Sequence, residues 1–206
     1  VIAFFENLYD TGGADKVDLE TLRQWRNKLS KETSGWNFFN SLNHSPTLFE
    51  RLGTGNLTTW SPYFSKDATG LVQKLLKSGY KKITLVPDIA SSGKVRITPA
   101  ELIALQQQDS VTIYRQKETQ ETSNDRAHIT HAKVWLTEER LAVGSWNCSY
   151  RATGLGISVK ERNIEAGIIT SVSKSTYNAL QGSIVPINSN LISGTSASEM
   201  EEEWAQ

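Results

Sequence analysis

Residues 57–88, LTTWSPYFSKDATGLVQKLLKSGYKKITLVPD, read as strand, helix and strand. LTTWSPYF is a strand that ends near Pro62. In DATGLVQKLLKSG, Asp67 supplies an N-cap and Gly79 a C-terminal stop, and the two bracket a helix. KKITLVPD follows as a strand, apolar at Ile83, Leu85 and Val86. Downstream, Thr98-Pro99-Ala100-Glu101 joins an N-cap threonine, a proline at the first helical position and a capping-box glutamate, so TPAELIALQQQ opens a second helix. DSVTIYRQ supplies the next strand. Three strands separated by two helices predict an α/β fold with a mixed, largely parallel central sheet flanked by helices.

Upstream, VIAFF reads as a short buried strand and ENLYDTGGADK as turn-forming sequence. In VDLETLRQWRNKLSK, Leu19, Leu22, Trp25 and Leu29 recur at helical spacing, with charged residues between them, which predicts an amphipathic helix. Residues 34–56 mix aromatics with Asn, Ser, Gly and Pro without a period and read as a connecting segment. The tail from Ser189, with its EMEEEW run, reads as a short helix or as partly disordered chain.

The chain has 206 residues, with 22 Lys+Arg against 22 Asp+Glu. Net charge of zero gives no global field for capturing nucleic acid or an anionic membrane, so any basic surface must be local. The single cysteine, Cys148, cannot form an internal disulfide, and no stretch has the length and apolarity of a membrane span or secretory signal. A reducing, cytoplasmic setting is the expectation. A start at Val1 followed by an apolar run predicts a boundary inside a longer natural protein.

Residues 131–147, HAKVWLTEERLAVGSWN, carry the chemistry. HITHAKVWLT and LAVGSWN read as two strands around Glu138, Glu139 and Arg140, and NIEAGIIT, residues 163–170, as another. Residues two apart in a strand share a face about 7 Å apart, so His131, Lys133 and Trp135 lie on one side. A three-residue loop, Glu138 to Arg140, pairs Thr137 with Leu141, and then Lys133 stands opposite Ser145 and His131 opposite Asn147. A two-residue loop instead shifts the register by one and sends Ser145 and Asn147 to the other face. The expected patch suits an anion such as a phosphate ester. Lysine offers charge, serine and asparagine offer neutral donors, and histidine offers a nucleophile or acid.

This stretch resembles the His-x-Lys signature of the phospholipase D superfamily: His131, Lys133, an acidic residue at Glu138, then Gly144-Ser145 and Asn147. The likeness extends over roughly residues 58–172 and includes Asn163-Ile164-Glu165, where the family often has Asn-x-Glu. Glu138 stands where the family has aspartate, and the run from Lys133 to Gly144 is one residue shorter. The resemblance implies a phospholipase D-like αβα sandwich and a metal-independent, cofactor-free phosphodiesterase. A neutral histidine attacks phosphorus to form a phosphohistidine, and a second histidine protonates the leaving oxygen and then activates water. Lys133, Ser145 and Asn147 neutralise the phosphoryl oxygens, and Glu165 holds the nucleophilic imidazole in its tautomer. The competing reading of Glu165 is a surface glutamate beside Lys160 and Arg162.

One signature is half of such a site. His44 has Pro46 two residues on, and His128 lies an odd number of positions from His131, so neither supplies the second histidine. The partner comes from an identical chain across a two-fold axis or from another half of the natural protein, and the second arrangement is favoured. The expected organisation is therefore 1–56 as strand, helix and connector, readable as the tail of a preceding half; 57–188 as the catalytic half; and 189–206 as a weakly structured acidic tail.

Nothing resembles a membrane-seeking helix, so DNA or RNA is the preferred substrate, with affinity from a partner domain as in restriction-type or genome-defence nucleases. Lys160, Arg162, Arg151 and Lys66 are candidate phosphate contacts and Trp146 a candidate stacking platform, although each taken alone reads more readily as an ordinary solvated or packing residue. The alternatives are a phospholipase-type or other small phosphodiester hydrolase, and a non-catalytic scaffold or anion-binding module. A metal site on His128 and His131 is weakened by their three-residue interval.

Overall fold

A computed structural model of the chain describes residues 36–41, 47–89, 94–117, 133–187 and 193–196. The expected VIAFF strand, the helix at 17–31 and all three histidines, His44, His128 and His131, lie outside these residues.

The elements run β1 (Trp36–Asn40), α1 (Leu48–Leu52), β2 (Gly55–Ser61), α2 (Ala68–Lys77), β3 (Tyr80–Pro87), β4 (Lys94–Val95), α3 (Pro99–Gln106), β5 (Val111–Gln116), β6 (Val134–Leu136), β7 (Arg140–Gly144), α4 (Tyr150–Thr153), β8 (Ala166–Ser171), α5 (Lys174–Gly182), β9 (Ile184–Pro186) and β10 (Ser193–Gly194). Among the described residues one sheet has the order β1-β8-β7-β6-β2-β3-β5-β9, and β10 pairs separately with β4. This is the expected α/β class with a mixed sheet and flanking helices. The parallel part of this sheet is smaller than expected, because among its described strands only β2–β3 and β3–β5 run parallel. The β6–β7 hairpin returns against β2, and β1, β8 and β9 also pair antiparallel. Helical crossovers make parallel neighbours, and only α2 and α3 serve as such crossovers within the sheet.

In α2, Ala68, Leu71, Val72 and Leu75 are buried at spacings of three, one and three, the stripe that a 3.6-residue period lays against a sheet. They join Leu57, Ile83, Leu85, Val111, Trp135 and Ala142 in the larger core, together with Phe49 and Leu52 of α1 and Leu102 and Leu105 of α3. A smaller cluster on the other face holds Trp60, Val86, Leu136 and Ile184 under Tyr177 and Leu180 of α5. Central β2 is therefore buried from Leu57 to Ser61, as a strand covered on both faces must be.

Asp67 caps α2 as expected, accepting from Gly70 N at 2.8 Å, and Gly79 takes φ +106° after the helix. Glu101 differs. Thr98 caps α3, but Glu101 Oε2 accepts from Thr69 N at 2.6 Å, so this glutamate satisfies a donor at the start of α2 instead of closing a box on its own helix. The unpatterned segment 34–56 holds β1, an edge strand on β8, and α1, whose Thr47–Glu50 capping box sets three buried side chains into the core. It is integral to the sheet rather than a connector. Helix α5 has no expectation above to match, since its polar sequence KSTYNALQG offers only Tyr177 and Leu180 to the sheet.

Candidate active site

The turn between β6 and β7 fixes the register. Thr137 N donates to Arg140 O at 2.8 Å, and Arg140 N donates to Thr137 Oγ1 at 3.1 Å. The Thr137 hydroxyl also reaches Leu52 O at 3.1 Å, which anchors the turn to the end of α1. The loop is thus the two residues Glu138 and Glu139, and Val134 pairs with Val143, Trp135 with Ala142 and Leu136 with Leu141. Gly144 N donates to Lys133 O at 3.2 Å, so Lys133 stands opposite Gly144. The expected Lys133–Ser145 pairing is corrected. Glu138 is exposed and accepts from Asn56 Nδ2 at 3.0 Å, a tie between hairpin loop and β2.

Ser145 lies just past the end of β7, where its surroundings are set by β8. Its N–H donates to Ala166 O at 3.0 Å, and its hydroxyl accepts from Ala166 N at 3.0 Å. The hydroxyl hydrogen goes to Glu165 Oε2. The other carboxylate oxygen accepts from Asn163 Nδ2 at 3.2 Å. Glu165 is only 5% exposed, so it is not a surface glutamate, and burying its polar oxygens without such donors would cost free energy. Ser145 therefore serves Glu165 directly, and its hydrogen is not directed at a phosphoryl oxygen.

Ser41 completes this clamp. Its N–H donates to Glu165 O at 2.8 Å, its Oγ accepts from Glu165 N at 2.7 Å, and its hydroxyl donates to Asn163 O at 3.0 Å. Ser41 follows directly on β1, which places it beside Glu165 because Asn40 pairs with Ala166. Sequence reading missed it, since nothing local marks an edge strand without alternation.

Gly144 and Gly167 face each other across β7 and β8, and the Trp146 ring lies over both. A Cβ on either would fall 2.4 Å from Trp146 Cζ3, so the glycine of Gly-Ser is required by packing. Trp146 is 1% exposed, stacks obliquely on Phe39 at 5.6 Å and accepts at its carbonyl from Trp135 Nε1 at 3.0 Å. It is a core residue, and the stacking assignment is corrected. Asn147 is half-buried, and its Oδ1 has no hydrogen-bond partner among the described residues. The next residue is fixed by Cys148 N donating to Ser61 Oγ at 2.9 Å. Burial pushes the Cys148 thiol up to about 12, which leaves it unreactive.

These residues share one end of the sheet. Strands β2 and β3 finish there at Ser61 and Pro87, β6 begins beside Trp60, and Gly144, Ser145 and Glu165 follow at its flank. Of the candidate cations, Arg151 and Arg162 line one pocket with Ser41 and Asn163, whereas Lys66 and Lys160 are exposed and do not line it. No helix among the described residues is long and apolar enough to cross a membrane.

No family model matches the chain, and no curated protein does. Among solved structures it is similar to NucT from Helicobacter pylori, at 15% identity and a TM-score of 0.43, over 73% of this chain and 100% of that one. It is similar to Nuc from Salmonella typhimurium, a phospholipase D family member, at 12% identity and a TM-score of 0.42, over 74% and 97%. It is similar to TrmBL2, an archaeal chromatin protein, at 10% identity and a TM-score of 0.34, over 88% and 64%. At these values the likenesses describe what the chain resembles, and the functional reading rests on the residues around Glu165.

Proposed function

We propose that the protein is a phosphodiesterase of the phospholipase D type that acts on nucleic acid. One observation carries the reading: a buried glutamate, fixed through its side chain by Ser145 and Asn163 and through its backbone by Ser41, sits at the sheet end where Lys133 enters β6. Burying a carboxylate costs several kcal/mol in the absence of compensating donors, and a carboxylate held by two side-chain donors on a backbone pinned by Ser41 suits a role such as orienting an imidazole.

In this chemistry neutral His131 attacks phosphorus, and the phosphorus–oxygen bond to the leaving group breaks as the N–P bond forms. The second imidazole, from an identical chain or another half of a longer protein, donates a proton to the departing oxygen. It then takes a proton from water, whose oxygen displaces His131. Glu165 accepts the second imidazole N–H of His131 and favours the tautomer that attacks. Lys133 neutralises charge on the phosphoryl oxygens, whereas the two-residue hairpin loop removes the register on which the expected role of Asn147 rested. Balanced net charge fits a nuclease whose affinity comes in part from an associated domain.

A phospholipid ester is the second reading. Val159 and Ile164 stand 45% and 54% exposed on the loop that carries Lys160 and Arg162. Turnover of bis(p-nitrophenyl) phosphate in EDTA, lost in His131→Ala, supports the phosphodiesterase. No turnover by the wild-type protein, alone or in its full natural assembly, makes the fold a scaffold or anion-binding module. Cleavage of phospholipid vesicles without cleavage of oligonucleotides selects the second reading.

A further inference from the structure

We infer that the pocket beside Glu165 is a second phosphate site, which takes a backbone phosphate of a polynucleotide next to the one that reacts. This deepens the phosphodiesterase reading and rests on it, by giving the substrate more than one phosphate. Among the described residues the pocket is lined by two arginines, Arg151 and Arg162, and by no carboxylate, beside Ser41 and Asn163, whose donors are already engaged, and the apolar Phe39, Leu48 and Trp146. Two cationic side chains without an opposing carboxylate in the lining favour an anion there. Its free volume, about 20 Å³, admits one water-sized group, so a phosphate would seat a single oxygen there with its remainder at the mouth.

The state of Arg162 points the same way. Its Nε is buried and has no hydrogen-bond partner among the described residues, and its Nη2 reaches Ile157 O only at 3.5 Å. An arginine presents a rigid fork of donors suited to two phosphate oxygens, and leaving such donors buried and unpaired costs free energy. Gly154, at φ +72°, lets the guanidinium lie there, since a Cβ would come within 3.0 Å of Arg162 Nε. The acid whose field Arg151 feels is Glu161, but that carboxylate is held by Ser158, which donates its N–H at 3.1 Å and its hydroxyl at 2.7 Å. Ser41 and Asn163 belong to both the pocket and the Glu165 clamp, so the two phosphates would be close neighbours along one strand.

The test is fluorescence anisotropy of a labelled single-stranded oligothymidylate bound to the full chain over a range of salt concentrations. Each phosphate contact removed from a single strand lowers the steepness of log affinity against log salt by about 0.7. Arg151→Gln and Arg162→Gln should each show that decrease, whereas Lys77→Gln, a surface cation on α2, should leave the slope unchanged. Arg151 is exposed, so its variant reads the site even if Arg162→Gln fails to fold. Unchanged slopes in Arg151→Gln, or an equal decrease in Lys77→Gln, overturn the inference. Turnover of bis(p-nitrophenyl) phosphate, measured separately, reports on the phosphodiesterase reading, so the two failures are distinguishable.

Discussion

Ser145 gives its hydroxyl hydrogen to the buried carboxylate of Glu165, twenty residues away in sequence, and takes a hydrogen bond from Ala166 N in return. The contact closes the end of β7 onto the start of β8 and turns two separate motifs into one polar centre. Replacing Glu165 by Gln keeps the shape but removes the negative charge and one of the two acceptor oxygens, which the proposed mechanism uses to orient an imidazole. Turnover of bis(p-nitrophenyl) phosphate should fall about 10²–10⁴-fold, while Ser145→Ala should fall less because Asn163 still holds the carboxylate. Equal, small losses in steady-state assays of both variants would show that Glu165 has no such role.

Ser41 touches Glu165 only through its backbone, which makes it a positioning residue. Ser41→Ala should lower kcat and leave KM near the wild-type value, and Ser41→Thr, which keeps the hydroxyl, should restore kcat. The thermal midpoint should drop by an amount that reflects about 1–3 kcal/mol, the net worth of the two hydrogen bonds of the Ser41 hydroxyl. Loss of stability in Ser41→Ala with kcat intact, followed by melting and steady-state kinetics together, would leave Ser41 a purely structural residue.

Gly144 and Gly167 leave space that the Trp146 ring fills. Gly144→Ala should destabilise the protein by about 1–3 kcal/mol in urea unfolding, as overpacking does. Trp146→Leu costs stability alone, but combined with Gly144→Ala it should be somewhat better than additive, because the ring contact is gone while Ala166 O at 2.5 Å and Gly167 Cα at 2.8 Å still meet the new Cβ. Strict additivity in the double-mutant cycle would contradict the contact.

Tyr150 donates its hydroxyl to Asp67 at 3.0 Å, and Lys74 lies over its ring at 4.7 Å. Burial, then the Asp67 hydrogen bond and charge, push its pKa up from 10.0 to about 12. The folded state therefore retains a proton that the unfolded state has released, so stability present below pH 10.0 is lost as pH rises toward about 12. Urea midpoints should fall over that window, and less steeply in Tyr150→Phe. An identical alkaline fall in that variant would remove Tyr150 from the effect.

The β2-α2-β3-α3-β5 run was readable because its signals are local: N-caps at Asp67 and Thr98, an apolar stripe along α2, and alternation in the strands. The hairpin register was not, because Thr137 sets the loop length through a bond to Leu52 O, 85 residues away in sequence. Trp146 looked available for stacking because the glycine that makes room for it, Gly167, belongs to another strand. Glu165 was found through its family resemblance, and its burial became clear only when Ser41 and β1 closed over β8. Glu101 carried the sequence of a capping box yet caps the neighbouring helix, since the choice between two backbone donors is made by the packing of α2 on α3.

The most direct measurement is the location of the covalent phosphorus. The protein would be mixed with a radiolabelled or mass-tagged phosphodiester in EDTA, quenched in alkali that preserves phosphohistidine, digested and sequenced by mass spectrometry. The expected result is an acid-labile adduct on the peptide that contains His131, absent in His131→Ala and strongly reduced in Glu165→Gln. Active protein with no adduct there, or with His131→Ala turning over at the wild-type rate, would contradict a nucleophile held by Glu165.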